Sequence, residues 1–369
     1  MKCGYELELL APLGETRHSI AHHLGKNYSC QPLAIFHRES DYNPYYIHGK
    51  SFYCLTRGFR LESPSGFWLK VVNDMTISTQ IDLENDDETD WFHLLADDIR
   101  LIDLIVSHCD PGASPQQVLT PIAELFQTTV DKKDTLYQVS GPSGSLVCLA
   151  HHHFKDRNRI CEIVTAPIET SHREVLYNII HQVQEKGCTI PTEAAFHIHF
   201  DATDFCSSDR LLRLIRYFHV WSEIIKTLVP PNPHCQRLGP YTDEVVRYAF
   251  DRANDNKPWD EVVAALKGAG ATKFCDFNFA NILNGDPNKM TIEVRIIPMT
   301  FNVDALVAAT VFFNQFLQSV IHTDYDHTSD IFPAEPENIE ALITELENWD
   351  DEPEDLHDTQ PTEDSSQGL

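Results

Sequence analysis

Three short stretches of the chain alternate strictly between apolar residues and ionisable or polar ones, at residues 5–9, 196–201 and 291–296. Successive side chains of a β-strand point to opposite faces, so each stretch predicts a strand with one apolar and one ionisable face. The ionisable residues are Glu6 and Glu8 in the first stretch, His197, His199 and Asp201 in the second, and Glu293 and Arg295 in the third. This pattern predicts a sheet that packs a core against one face only.

Extended and helical segments follow one another without a regular βαβ repeat. Short extended segments fill residues 1–80, and another is expected over 274–283. Apolar residues at helical spacing predict helices over 91–109, 115–128, 173–186, 208–228 and from a cap at Asp304 to near Ile321. The mixture indicates an α+β fold with a mostly antiparallel sheet and flanking helices.

The acidic charge of the chain is concentrated at its end. Residues 330–369 hold fourteen Asp and Glu and neither Lys nor Arg, which is half of the net charge of −28. One apolar stripe there has helical spacing, formed by Ile339, Leu342, Ile343, Leu346 and Trp349. We therefore predict one large domain over 1–329, with a helical insertion at about 91–130, and an acidic tail with one amphipathic helix and a disordered end. The tail either keeps the protein soluble or docks on a protein partner or on the body of the protein itself.

The charge balance also restricts the partners that we expect. Nucleic acids and anionic membrane surfaces need clustered Lys and Arg, so neither is an expected partner. Glu6 and Glu8 stand where a signal peptide would need apolar residues, and the ten cysteines form no Cys-x-x-Cys pair. A cytoplasmic location is expected.

A concentration of Glu and His on one sheet face needs a physical reason. Closely packed carboxylates resist ionisation unless a cation neutralises them, and carboxylate-rich sites prefer Mg²⁺ or Mn²⁺ to softer metals. Glu162 lies between apolar residues in a further strand-like segment and extends the set. A single Glu-x-Glu pair would suit a half-exposed strand, but three or four coinciding pairs favour a metal site.

The same residues carry a family resemblance. In order along the chain, Gly4-Tyr5-Glu6-Leu7-Glu8, residues 68–78, residues 162–167, His197-Ile198-His199, and Thr291-Ile292-Glu293-Val294-Arg295 with Thr300-Phe301-Asn302 resemble the amidoligases. This family consists of carboxylate–amine ligases similar in fold to glutamine synthetase and glutamate–cysteine ligase. The resemblance implies a curved sheet of that type and an ATP- and Mg-dependent ligase that joins a small-molecule or peptide carboxylate to an amine through an acyl phosphate.

The resemblance also implies a role for each matching residue. The metal ligands would be Glu6, Glu8, Glu162, His197 and Glu293. His199 would lie beside the nucleotide and Arg295 would hold the transferred phosphoryl group, with Glu293 and Arg295 as the catalytic pair. Arg237, Asp74 and Asn278 are candidate substrate contacts, although Arg237 also fits a surface arginine and Asn278 a backbone-bonding role.

Two other functions stay open at this point. The His-x-His-x-Asp stretch at 197–201 could open the site of a metal-dependent hydrolase, but Ala202 stands where a further histidine is usual. A non-catalytic binding protein with the ligase fold is the second alternative. Retention of every candidate ligand favours the enzyme.

Overall fold

The structure is a computed structural model, and it describes residues 2–12, 14–38, 45–47, 50–73, 92–133, 136–152, 160–235, 238–287 and 289–322. The strands are β1 (Cys3–Leu10), β2 (Leu33–Arg38), β3 (Tyr45–Ile47), β4 (Lys50–Glu62), β5 (Trp68–Val72), β6 (Phe92–Ala96), β7 (Asp131–Lys133), β8 (Leu136–Ser140), β9 (Leu146–His152), β10 (Ile160–Thr165), β11 (Ala195–Asp201), β12 (Phe277–Asn278) and β13 (Thr291–Pro298). The helices are α1 (Arg17–Asn27), α2 (Ile99–His108), α3 (Pro115–Leu125), α4 (His172–Glu185), α5 (Ser208–Leu228), α6 (Asp243–Phe250), α7 (Trp259–Gly268), α8 (Ala280–Asn284) and α9 (Val303–His322).

The strands form one large, open sheet, and every described pair of neighbours is antiparallel. The strand order is β12-β13-β11-β1-β10-β5-β4-β6-β9-β8-β7, with β2 and β3 also paired to β4. The expected α+β class with a mostly antiparallel sheet is therefore confirmed.

All helices that the structure describes pack on one face of this sheet. One hydrophobic cluster joins α1 and α4–α9 to the strands from β12 to β4, and a second joins α2 and α3 to β4, β6, β8 and β9. Tyr5, Leu7 and Leu9 of β1 are fully buried in the first cluster. The opposite face, here called the site face, carries the ionisable residues of the alternating strands.

Helix α9 is long and apolar enough to cross a membrane by length and composition alone, yet half of its most apolar window is buried. It contacts α4, α5 and β11. Its phenylalanines Phe312, Phe313 and Phe316 belong to the core. Packing against the sheet thus accounts for the apolar character of α9.

The long strand β4 changes partner along its length. Its residues Tyr53–Thr56 pair with β6, and its residues Phe59–Glu62 pair with β5. Gly58 lies at this change, where an added Cβ would stand 2.8 Å from Val72 Cγ1 and 3.1 Å from Val71 O. Only glycine permits this close approach of β5 to β4.

Several predicted elements are confirmed and several are wrong. The helix predicted over 91–109 begins only at Ile99, capped by Asp98, because residues 92–96 form β6. Both faces of β6 are buried, Leu94 on the helix side and Leu95 on the site face. An apolar run of this kind has no period of two, so spacing alone cannot separate it from a helix.

Two further boundaries differ from the prediction. The extended segment expected over 274–283 is a strand only at Phe277–Asn278, because the Asn278 side chain accepts from the Ala280 N–H and α8 follows. The cap of α9 is Asn302, whose Oδ1 accepts from the N–H groups of Asp304 and Ala305. Helix α1, capped at Thr16, was not predicted, because few of its residues are apolar.

Candidate active site

The register of the central strands brings the ionisable residues together on the site face. Glu6 of β1 lies directly opposite His197 of β11, and His199 of β11 lies opposite Glu293 of β13. Paired residues of antiparallel strands point to the same face. Three stretches that are far apart in sequence thus meet across three neighbouring strands.

One ligand atom from each of Glu6, His199 and Glu293 lies within 4.8 Å of the other two. His199 Nε2 is 2.9 Å from Glu6 Oε1 and 3.9 Å from Glu293 Oε1. His197 Nδ1 is 3.0 Å from Glu6 Oε2 and 3.5 Å from Glu293 Oε1. We call these four residues the Glu6 cluster. The side chains of Glu6 and His199 are 22% and 20% exposed, so the cluster can be reached from the site face.

Glu8 borders the Glu6 cluster on β1 and is buried. Its Oε2 accepts a hydrogen bond of 2.6 Å from the Ala195 N–H, and its Oε1 lies 3.7 Å from His197 Nε2. One oxygen therefore fixes the start of β11, and the other faces the cluster.

Arg295 is buried beside Glu293 and forms an ion pair with it through Nη1 and Oε1. The second oxygen, Oε2, accepts a hydrogen bond of 2.6 Å from Asn278 Nδ2. Arg295 Nε is buried and has no hydrogen bond to any residue that the structure describes. The guanidinium thus keeps a free donor at the cluster.

A β-bulge in β13 directs Arg295 to this position. Phe196 pairs with Ile297 and Ile198 with Val294, so one residue of β11 faces two of β13. The bulge places Ile296 and Ile297, adjacent in sequence, both in the core. Two consecutive core residues at the end of an alternating strand were the sequence signal of this bulge.

Opposite charges set the pKa values in the cluster. Burial by itself would raise the pKa of Glu6, but the charge of His199 and the hydrogen bond to His197 hold it well below its usual value. Burial likewise opposes ionisation of Glu293, yet Arg295 and His199 lower the pKa of that carboxyl. Both carboxylates are therefore charged at neutral pH.

The pKa values of the cationic groups are shifted upwards instead. Burial would lower the pKa of His199, but the charges of Glu6 and Glu293 raise it to about 9. Burial also disfavours the charged form of Arg295, and Glu293, Glu6 and Glu8 outweigh this and raise its pKa. When no metal is bound, the charges of the Glu6 and Glu293 carboxylates are thus balanced by those of His199 and Arg295.

Thr291 and Asn281 position His199 through its Nδ1 atom. Thr291 Oγ1 lies 3.3 Å from His199 Nδ1 and accepts a hydrogen bond of 2.9 Å from Asn281 Nδ2. His199 Nε2 is buried and has no hydrogen bond of suitable geometry within the described residues. The imidazole is thus held at Nδ1, and Nε2 faces the carboxylates.

One of three comparisons with known proteins shows the family of this chain. The family model described as "Putative amidoligase enzyme" matches residues 1–317. The chain belongs to the amidoligase family. Searches of curated proteins and of solved structures found no significant match. The family match includes all three strands of the Glu6 cluster, and it confirms the resemblance seen in the sequence.

The predicted site residues of this amidoligase fall into three groups. Glu6, Glu8, His197, His199, Glu293, Arg295 and Asn278 lie together at the site. Glu162 lies on β10 directly opposite Glu8, one strand beyond the cluster. Asp74 and Arg237 lie outside the described residues, as do residues 330–369.

Proposed function

We propose that this amidoligase is an ATP- and Mg-dependent carboxylate–amine ligase that forms an amide or peptide bond through an acyl phosphate. The observation that carries the proposal is the convergence of Glu6, His199 and Glu293 within 4.8 Å, with the Arg295 guanidinium beside them. We further propose that the sheet is of the glutamine synthetase type, with the ligands approaching its site face.

The donor set suits hard divalent cations. Carboxylate oxygens with one or two imidazoles favour Mg²⁺ or Mn²⁺, and buried carboxylates that face one another gain from a doubly charged partner. His199 Nε2, 2.9 Å from Glu6 Oε1, becomes a further metal ligand once it gives up its proton, and the family resemblance implies that this residue lies beside the nucleotide. We propose Glu6, His199 and Glu293 as the central ligands, with His197, Glu8 and Glu162 available to a second ion. When bound, the metal would screen the triphosphate from an anionic carboxylate.

The chain's own residues supply the remaining chemistry. A carboxylate does not condense with an amine directly, since hydroxide is a poor leaving group, so phosphorylation of the carboxylate must come first. The free Nε–H of Arg295 can donate to oxygens of the transferred phosphoryl group, and Glu293 fixes the guanidinium through Nη1. Charge-assisted hydrogen bonds of this kind strengthen as charge develops on those oxygens.

Asn278 has a positioning role in this proposal. Its Nδ2 donates to Glu293 and its Oδ1 accepts from the Ala280 N–H, so both ends of the amide are engaged. These bonds hold Glu293 in the orientation that its ion pair with Arg295 requires. Arg237 and Asp74 remain proposed substrate contacts.

The hydrolase alternative is not favoured by the position of Asp201. The Asp201 Oδ1 atom accepts hydrogen bonds from the backbone N–H and the Oγ1 of Thr203. This carboxylate caps the turn after β11 and is not one of the two carboxylates that converge with His199.

Glu293→Gln tests the proposal. Glutamine keeps the volume and one acceptor for Asn278 but removes the charge that holds Arg295 and a metal. We expect the parent protein to release ADP and phosphate only when a carboxylate and an amine are both present, with mass spectrometry detecting the condensation product. The variant should lose at least ~100-fold in turnover, and its thermal unfolding should show that it is folded.

Glu124→Gln, an exposed position on α3, is the matched control and should keep full turnover. Turnover of Glu293→Gln at the parental rate would reject the site. Hydrolysis that proceeds without ATP would favour the alternative function.

A further inference from the structure

A group of cations surrounds an aromatic ring on the site face, outside the residues used above. Arg60 Cζ lies 4.9 Å from the centre of the Trp68 ring, and Lys70 Nζ lies 5.1 Å from it. Lys289, in the loop before β13, is close enough that its charge acts on Lys70. We call Arg60, Trp68, Lys70 and Lys289 the Trp68 cluster.

The sheet register places the Trp68 cluster in line with the Glu6 cluster. One row of cross-strand partners runs through His197, Glu6, Val164, Lys70 and Arg60. All five side chains point to the site face, because their sequence neighbours on each strand belong to the core. Glu6 and Lys70 are separated only by half-buried Val164, that is by two strand spacings or roughly 10 Å.

Among the described residues, the charge of Lys70 is compensated only in part, by the carboxylate of Glu162. Its ammonium has no ion pair and no hydrogen bond among the described residues, although the side chain is half-buried in a protein with a net charge of −28. Burial and the neighbouring charges of Arg60 and Lys289 lower the pKa of Lys70, and Glu162 opposes them. Arg60 has one exposed partner, Glu62, at 3.0 Å. An unbalanced, half-buried cation among other cations is costly unless an anion binds there.

We propose that the Trp68 cluster is an anion subsite that holds the phosphate or carboxylate oxygens of a substrate whose reacting end lies at the Glu6 cluster. This inference rests on the proposed ligase function, because it assigns one molecule to both clusters. Lys70 is the main donor, Lys289 closes the subsite from the loop before β13, and Trp68 and Arg60 hold the Lys70 stem in place. The separation of roughly 10 Å suits a polyphosphate chain or a substrate with two anionic ends.

The experiment measures anion binding without metal or turnover. Isothermal titration at fixed ionic strength, in EDTA, uses tripolyphosphate in one arm and glutarate in the other. Lys70→Met removes the charge and keeps a stem that packs on Trp68. Lys289→Gln changes an exposed loop position. Lys132→Gln is the matched control, because Lys132 Nζ also lies 5.1 Å from an aromatic ring, that of Tyr137, but on an edge strand far along the sheet.

We expect Lys70→Met to raise the dissociation constant of the preferred anion about tenfold, the scale of one lost charge-assisted contact. Lys289→Gln should raise it less, and Lys132→Gln should leave it unchanged. Preference for tripolyphosphate assigns the subsite to the nucleotide, and preference for glutarate assigns it to the carboxylate substrate. The thermal unfolding of each variant shows whether it is folded.

The proposal is overturned if neither anion binds the parent protein, or if Lys70→Met binds both as tightly as the parent does. The two proposals can fail separately. Anion binding that depends on Lys70 without any ATP-dependent condensation would reject the ligase alone. Condensation with an unchanged KM and unchanged anion binding in Lys70→Met would reject the subsite alone.

Discussion

At the scale of single residues, the site depends on pairs of opposite charges that are buried together. Glu6 faces two histidines, and Glu293 faces Arg295 and His199. Buried charges are tolerated only when each has a partner of opposite charge. Removing one member of a pair therefore destabilises the protein, because the other charge is left buried without a partner. Variants that keep shape and change charge are therefore more informative here than alanine.

The raised pKa of His199 predicts a pH dependence of stability in the metal-free protein. A histidine whose pKa rises from 6.5 to about 9 on folding stabilises the fold fully below about pH 6.5 and loses that contribution as the pH rises through about 9. His199→Asn should therefore cost ~1–3 kcal/mol of unfolding free energy at pH 6 and much less at pH 9.5. Urea unfolding in EDTA at both pH values measures the difference. His322→Asn, at the exposed end of α9, is the control, and an equal loss by His199→Asn at both pH values would contradict the prediction.

Most of the site residues could be predicted from the sequence, because strand alternation is a local property. Glu6, His197, His199 and Glu293 were found in this way. What could not be predicted was their pairing, since the register between β1, β11 and β13 depends on contacts across about 190 and 90 residues of chain. The family resemblance implied that His197 binds a metal and that His199 lies beside the nucleotide. The group of three residues whose ligand atoms lie within 4.8 Å of one another contains His199.

At the scale of the elements, the change of partner along β4 determines how the two parts of the sheet join. Strand β5 pairs with one half of β4 and β6 with the other, on the same edge. Gly58 stands between them. Residues of β4 on the two sides of this junction belong to the two helix-covered clusters of the core. A substitution at Gly58 should therefore lower the stability of the whole fold.

Gly58→Ala is predicted to destabilise the protein by ~1–3 kcal/mol, the usual cost of overpacking. The added methyl would lie 2.8 Å from Val72 Cγ1, too close to be accommodated without a shift of β5. Val72→Ala in the same chain should recover part of the loss, because it removes the methyl that clashes. Denaturant unfolding of both single variants and the double variant gives the coupling between the two positions.

Gly268→Ala is the control for this series, since an added Cβ at the end of α7 meets no atom within 4 Å. It should leave stability unchanged or raise it slightly. Additive effects of Gly58→Ala and Val72→Ala would show that the steric account of the junction is wrong.

Two of the elements that the sequence did not predict, β6 and α1, share one property. In β6 both faces are buried, and in α1 few residues are apolar, so neither shows the periodic alternation of apolar and polar residues from which an element is recognised. Helix α5, with alternating buried and exposed faces, has the predicted bounds of Ser208–Leu228. Prediction therefore succeeded where one face of an element meets solvent and failed where the tertiary structure decides both faces.

At the scale of the whole molecule, the charge is distributed unevenly. Residues 330–369 carry half of the net charge, all of it acidic, whereas cations lie beside the proposed site at the Trp68 cluster and at Arg295. The acidic tail can therefore act on solubility, on a partner or on the body of the protein, and these roles predict different outcomes.

We expect a chain that ends at residue 329 to unfold within ~2 °C of the full chain, because the sequence predicts that the acidic tail lies outside the domain over 1–329. Its solubility near neutral pH should fall, since half of the net charge is removed. Full-length protein carrying Leu342→Gln and Leu346→Gln is the matched variant, because it disrupts the apolar stripe and leaves the net charge of −28 unchanged. If the tail serves only solubility, this variant should match the parent in both unfolding temperature and solubility. A lower unfolding temperature in both the shortened chain and the stripe variant would contradict that account, because a loss common to both requires the stripe itself to pack on the body.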